Sequence, residues 1–195
     1  MRLEATLNTQ NSKLNTSSYT LKAMLKDKYA SAIADILARY AQKRSAVIQL
    51  LYLAQDEYGR LTDEAIREVA AIIEVPPTDV FEVVGFYTLL YNGNVGKWVL
   101  QVCDDVPCCF LGAEPLIDAL EQKLGIRSEQ TTADGMFTLQ RVKCVAACDK
   151  APVLQANLDF VYNLTVEQLD GMLSDLRRRA DAGETISISG RQARV

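Results

Sequence analysis

Residues 97–113, KWVLQVCDDVPCCFLGA, and residues 136–153, MFTLQRVKCVAACDKAPV, share one plan. Each opens with a short apolar run carrying β-branched and aromatic residues, which predicts strands over Lys97–Val102 and Met136–Val142. Each then delivers a cysteine pair, Cys103-x4-Cys108 after the first strand and Cys144-x3-Cys148 after the second. Two loops at the same end of one sheet can bring those four sulfurs together. Each loop is long enough to curl around one iron and offer two sulfurs at tetrahedral angles, with its backbone N–H groups pointing at bridging sulfides. Four thiolates without histidine suit a [2Fe–2S] or [4Fe–4S] cluster. Other readings of the same residues stand beside it. A structural zinc site also takes four thiolates, but it usually shows C-x2-C knuckles, and neither pair has that spacing. A thioredoxin-type dithiol wants C-x-x-C, and the adjacent Cys108 and Cys109 could close only a strained vicinal disulfide. Four unligated buried thiols are the plainest reading, which paired spacing at strand ends disfavours. Cys109 is expected to be a bystander, because Cys108 keeps the four-residue loop and follows the rigid Pro107.

The chain of 195 residues contains no histidine. Ser-His-Asp and Cys-His catalysis, His-ligated zinc, Rieske ligation and His-ligated haem therefore lie outside its own chemistry, and a metal must be held by Cys, Asp or Glu. With 49% hydrophobic and 24% charged residues, it reads as one large or two small globular domains. A net charge of −4 gives no bulk attraction for nucleic acid or an anionic membrane surface. The longest apolar runs, 46–54 and 83–91, fall well short of the roughly 20 residues that cross a bilayer. Residues 1–20 have no apolar secretory core, so thiols or ligands are expected rather than disulfides. Their Ser, Thr and Asn content reads as a flexible tail in preference to a weak organelle-targeting sequence, whose arginine enrichment is missing.

Upstream of the cysteines, from Leu21 to about Leu90, the apolar period is helical. Tyr29, Ile33, Ile36, Leu37 and Tyr40 share one face, and Val47, Leu50, Leu51, Ala54 and Tyr58 repeat the spacing up to Gly59. Thr62 can cap a third helix with Asp63 and Glu64 in its first turn; Pro76 and Pro77 are expected to end it, and a fourth runs from about Thr78. The turn-rich Asn92, Gly93, Asn94 and Gly96 mark a change of pattern. The division expected is a helical domain over 21–94, a sheet domain over 95–182 and a polar tail over 183–195. Within the second unit Glu114–Leu124 reads as a helix and Val153–Asn157 with Phe160–Asn163 as a hairpin across Leu158 and Asp159. A last helix starts at Thr165, with Gln168 completing a capping box, and runs to Arg177, Arg178 and Arg179. The order β-α-β-β-β-α places the fold in the α+β class. Phe86, Tyr87 and Tyr91 are read as core in preference to interface anchors, and the three arginines as a solvated helix end. A helix-turn-helix reading of the helices around Pro77 fails on charge, since between Leu61 and Gly96 Arg67 alone faces six carboxylates.

The run from Val102 through Cys103, Pro107, Cys108, Gly112 and Ala113, followed by Cys144, Cys148, Asp149, Pro152 and Val153, resembles the 24-kDa subunit family of respiratory NADH:quinone oxidoreductase, complex I. Upstream, Arg44, Ser45 and Ala46, then Gln55, Gly59, Val75, the triplet Phe86-Tyr87-Thr88 and Gly96-Lys97 are similar to that family's helical domain in order and spacing. The resemblance covers roughly residues 30 to 180. It implies an N-terminal helical bundle followed by a thioredoxin-like [2Fe–2S] ferredoxin domain, with Cys103 and Cys108 on one iron and Cys144 and Cys148 on the other. It also implies a one-electron carrier in the NADH-oxidising module, with no complete active site of its own. Its partner would be a subunit of about 50 kDa that carries FMN, the NADH site and a [4Fe–4S] cluster, beside further subunits of the peripheral arm. That agrees with the absence of a G-x-G-x-x-G or Walker sequence. Neither nucleic acid nor direct membrane insertion is expected; the implied location is cytoplasmic, at the inner face of the cell membrane, or the matrix side in a mitochondrion. The same module in a soluble NAD-linked hydrogenase or formate dehydrogenase is the alternative within the family, and a four-cysteine zinc interaction module the remote one. Two departures are visible. Val145-Ala146-Ala147 stands where the family often has Leu-Gly-Ala, and Cys109 stands where cysteine is unusual. Asp104, Asp105 and Asp149 beside the ligands are expected to disfavour a reduced cluster, with Arg141, Lys143 and Lys150 partly offsetting them, so a low potential is expected.

Overall fold

In the computed structural model residues 24–184 and 187 are described. The tail expected over 1–20 and most of that over 183–195 lie outside the described residues. The first half is helical: α1 (Met24–Lys28), α2 (Ala30–Ala38), α3 (Val47–Tyr58), α4 (Asp63–Ile73) and α5 (Pro77–Phe86). The helical stripes meet in one core of Ile33, Ile36, Leu50, Leu51, Ala54, Ile66, Val69 and Val80. Each such side chain taken from water stabilises the fold by about 1.5–3 kcal/mol. Gly59 ends α3 in the left-handed conformation (φ 73°), and the Thr62 hydroxyl caps α4 by accepting from the Ala65 N–H at 3.2 Å. The end of α4 differs from expectation. Glu74 stops the helix in the left-handed conformation (φ 61°), before the prolines, and Pro77 instead opens α5, where its missing N–H costs nothing.

The residues after α5 correct one expectation. Tyr91 is buried, but Phe86 is 78% and Tyr87 41% exposed. Helix α5 ends at Phe86, so these two rings leave the buried stripe of Val80 and Val84 and pack edge to face with each other, 5.1 Å between centroids. The segment beyond is pinned by the fully buried Gln55, whose side chain donates to Leu89 O at 3.0 Å and accepts from the Tyr91 N–H at 2.7 Å.

From Trp98 the chain builds a sheet: β1 (Trp98–Cys103), β2 (Gln130–Thr131), β3 (Phe137–Val142), β4 (Leu154–Ala156) and β5 (Asp159–Val161). Their order across the sheet is β2-β3-β1-β4-β5, with β1 and β3 parallel and the other pairs antiparallel. Helices α6 (Val106–Phe110) and α7 (Ala113–Leu124) connect β1 to the β2–β3 pair, and α8 (Leu169–Asp181) closes the described chain. Trp98, Leu100 and Val102 of β1 join Phe137 and Leu139 of β3 against Leu116, Ile117 and Leu120 of α7 and Leu169, Leu173 and Leu176 of α8. Gly96 lies so close to β3 that a Cβ there would meet the Phe137 backbone at 2.8 Å, which only glycine avoids.

Three local readings are refined. The hairpin turns at Asn157 and Leu158, both at positive φ, one residue earlier than expected, as a two-residue primed turn requires. Asn157 suits that place because its amide also accepts from the Val99 N–H and donates to Lys97 O, each at 2.7 Å. The capping box at Thr165 and Gln168 is present, but its first turn is 3₁₀ before α8 begins at Leu169. The arginines are not simply solvated. Arg177 lies over the Phe137 ring and pairs with Asp134, and Arg179 lies over Trp98 and pairs with Glu184. Among the described residues no helix is long and apolar enough to cross a membrane.

Candidate metal centre

Because β1 and β3 are parallel neighbours with Cys103 opposite Val142, both strands end at the same edge of the sheet. That brings the chain segments carrying the two predicted cysteine pairs to the same edge. Cys103 is the last residue of β1, its N–H held by Val153 O at 3.1 Å. Cys108 does not sit in an open loop, as the cysteine spacing suggests, but on the short helix α6. Asp105 accepts from the Val106 N–H at 2.9 Å and Pro107 occupies the first turn, so the segment carries both signals of a helix start. Cys103 and Cys108 are each only 2% exposed and pack with Ala113 and Val153, with Val145, Ala147 and Ala151 against them. Cys144 and Cys148 are exposed, with their sulfurs 3.5 Å apart.

One of the two cysteine pairs has the spacing that a shared metal ion requires. Two thiolates on one tetrahedral metal ion, with bonds of about 2.3 Å, stand about 3.8 Å apart. The Cys144–Cys148 separation is within a few tenths of an ångström of that. The Ala146 N–H points at the Cys144 sulfur at 3.4 Å, the donor geometry that stabilises a thiolate. Ala146 holds the left-handed conformation (φ 61°) that a glycine would take freely, so the loop keeps its turn at a cost of about 1 kcal/mol. Among the described residues, no three Cys, Asp or Glu side chains converge on a single ion position; Cys144 and Cys148 come together as a pair. Burial, then the hydrogen bond with Cys103, pushes the Cys108 thiol up to about 11, and the hydrogen bond with Cys144 raises that of Cys148. A metal centre taking these sulfurs as thiolates displaces protons. Cys109 is exposed and its thiol donates to the Asp104 carbonyl at 2.9 Å.

Residues 33–177 match the family model described as thioredoxin-like [2Fe–2S] ferredoxin. The chain belongs to this family. Two relatives of this thioredoxin-like ferredoxin are similar over most of their own length. An NADH-quinone oxidoreductase E-type subunit of Rhizobium meliloti is 44% identical over 140 residues, which is 72% of this chain and 83% of that protein. The E-type subunit of the NADH-quinone oxidoreductase of Rickettsia bellii is 36% identical over 170 residues, 86% of this chain and 98% of that protein. Among solved structures, an air-oxidised NAD⁺-reducing [NiFe]-hydrogenase matches with a TM-score of 0.61 at 19% identity. The match covers 69% of this chain and 24% of the hydrogenase chain, and it shows the thioredoxin-like ferredoxin fold.

The electrostatics beside the cysteines differ from the sequence-based expectation in one respect. Asp104 is no free negative charge. Its carboxylate accepts from Lys143 Nζ at 2.8 Å and from Arg141 Nε at 3.1 Å, and its side chain is 10% exposed. Lys143 first, against partial burial, and then Arg141 hold the Asp104 carboxyl below its ordinary value. Charges read along the chain do not show this, because Asp104 and Lys143 are 39 residues apart and meet only through the β1–β3 register. Nor does the sequence show which apolar side chains stay exposed. Val106, Phe110 and Leu111 around α6 are 61%, 87% and 59% exposed, directly beside Cys108.

Proposed function

We propose that this chain is the [2Fe–2S] subunit of the NADH-oxidising module of an NADH:quinone oxidoreductase, with Cys103 and Cys108 holding one iron and Cys144 and Cys148 the other. The observation that carries the reading is the delivery of both cysteine pairs to one edge by the parallel β1–β3 pair. The family membership and the names of the relatives support it. A [2Fe–2S] cluster bound by four thiolates supplies one-electron transfer. The polypeptide's part is to wall the Cys103 and Cys108 side from water, to hold the Cys144 sulfur with the Ala146 N–H, and to leave the Cys144 and Cys148 side open. The exposed Val106, Phe110 and Leu111, in and just after the helix that carries Cys108, supply apolar side chains suited to a partner of about 50 kDa carrying FMN, the NADH site and a [4Fe–4S] cluster. Through that partner and the further subunits of the peripheral arm, the chain would sit at the inner face of the cell membrane.

The deciding experiment is iron, sulfide and zinc analysis of anaerobically purified protein, with EPR after dithionite reduction. About two irons, about two sulfides and a rhombic S = 1/2 signal are expected, and Cys144→Ser should alter or abolish that signal. One zinc without sulfide or signal would overturn the proposal in favour of a structural zinc module. Co-purification with a nickel or molybdenum subunit, rather than a quinone-reducing membrane arm, would move the chain to a soluble hydrogenase or formate dehydrogenase.

A further inference from the structure

We propose that Asp104 is a positioning residue that clasps together the two strand ends leading into the cysteine pairs and sets the charge behind them; its effect on a cluster rests on the function proposed above. One residue makes four connections here. Its backbone N–H donates to Val142 O at 2.9 Å and its carbonyl accepts from the Cys109 thiol at 2.9 Å. Its two carboxylate oxygens take Lys143 and Arg141 separately, at 2.8 and 3.1 Å. Asp104 directly follows Cys103, and Lys143 directly precedes Cys144. The ion pair therefore spans the gap between the first residue of one ligand pair and the first residue of the other. Arg141 carries the link on to Glu114 in the first turn of α7. The Arg141 N–H is itself held by Glu129 at 3.2 Å, which keeps that residue in line with β3.

The charges close as a group. Arg141 and Lys143 contribute two positive charges, and Asp104 and Glu114 two negative ones. The carboxylate is mostly shielded while Lys143 stays 81% exposed, so the firmness of the link comes from having both oxygens occupied by cations rather than from a lack of screening. Removing its charge while keeping its shape takes the carboxylate partner from Lys143, while Arg141 keeps Glu114, and so leaves one net positive charge beside the cysteine edge. That favours any additional negative charge there, which is what a reduced cluster carries.

The test compares the wild-type chain with Asp104→Asn, Asp104→Glu and Lys143→Gln, with guanidinium unfolding followed by Trp98 fluorescence to show that each variant folds. In the first arm the metal-free reduced chain is alkylated with iodoacetamide and each cysteine is read by mass spectrometry. Asp104→Asn should speed alkylation of Cys144 and Cys148 several-fold, Asp104→Glu should restore the wild-type rate, and the buried Cys103 and Cys108 should report any general loosening. Unchanged rates at Cys144 and Cys148 in a folded Asp104→Asn chain overturn the clasp, whatever the metal content. In the second arm the loaded chain is titrated potentiometrically by EPR. Asp104→Asn should move the midpoint positive and alter the g values, Lys143→Gln should move the midpoint negative, and Asp104→Glu should lie near wild type. Midpoints that do not respond to these charges overturn the electrostatic half of the proposal. A wild-type chain that takes up no iron and sulfide defeats the proposed function instead, and the alkylation arm still decides the clasp.

Discussion

Replacing Thr138 by Val isolates one hydrogen bond at almost constant volume. Thr138 lies in β3, 4% exposed, and its hydroxyl accepts from the Gly96 N–H at 2.7 Å while meeting the Thr131 hydroxyl at 2.8 Å. Gly96 has no room to shift toward another acceptor, because its backbone already abuts Met136 and Phe137. The variant therefore strands a buried N–H, which costs about 1–3 kcal/mol. The Thr131 hydroxyl, partly exposed, turns to water and adds little. Valine's better fit to a strand returns a few tenths of a kcal/mol, which leaves a net loss of about 1–2 kcal/mol. The chain has a single tryptophan, Trp98, which is 2% exposed in the sheet core with its indole N–H on Leu176 O at 3.0 Å. Its fluorescence reports the unfolding of this core. With a guanidinium slope of about 3 kcal/mol per molar, the midpoint should fall by about 0.3–0.7 M. Amide exchange at Gly96 should quicken in the Val variant and stay slow in Thr138→Ser. An unchanged or raised midpoint with an unaltered Gly96 amide would refute the reasoning.

Three further outcomes follow from the same structure. Gln55→Ala leaves the Tyr91 N–H and the Leu89 carbonyl without their side-chain partner, each worth about 1–3 kcal/mol, so urea unfolding read by far-UV circular dichroism should show about 2–4 kcal/mol lost. Cys109→Ser should leave iron and sulfide content at the wild-type level, whereas Cys148→Ser should lower both; equal losses would remove the distinction between a ligand and a bystander. Asp134 is held below its ordinary value by the Thr132 hydroxyl, then by Arg177 and the Met136 N–H. Its stabilisation is present above the ordinary carboxylate pKa of about 3.9 and is lost as pH falls through the depressed folded value. The melting temperature of Asp134→Asn should thus lie below wild type at pH 7 and converge with it in strong acid.

The sequence was most legible where a residue's role is local or periodic. Thr62 as a cap, Gly59 as a helix stop, and the stripes of α3 and α4 depend on neighbours within one turn, and the structure has them. The short apolar runs with β-branched and aromatic residues also located β1 and β3 within a residue at each end, so the cysteines fell at the same edge. Reading failed where the deciding partner is remote or where two local signals competed. Strand β2 is two residues long and exists only because Gln130 and Thr131 pair with Leu139 and Thr138, which no pattern of its own announces. Helix α6 was hidden because the cysteine spacing drew the segment as a loop, although Asp105 and Pro107 argued for a helix. Phe86 and Tyr87 looked like core from composition alone; where α5 ends decides that they face outward.

The unequal exposure of the two cysteine pairs gives this edge of the molecule a front and a back. Cys103 and Cys108 are sealed behind Val153, Ala113 and the alanines of the second segment, while Cys144 and Cys148 are exposed. Of the two pairs at this edge, solvent reaches Cys144 and Cys148, so an oxidant meets them, and the exposed Cys109, before the buried pair. The covering subunit proposed above would then be a guard as much as a collaborator. An unassembled copy of this chain would be vulnerable at its outer pair long before the inner pair was touched.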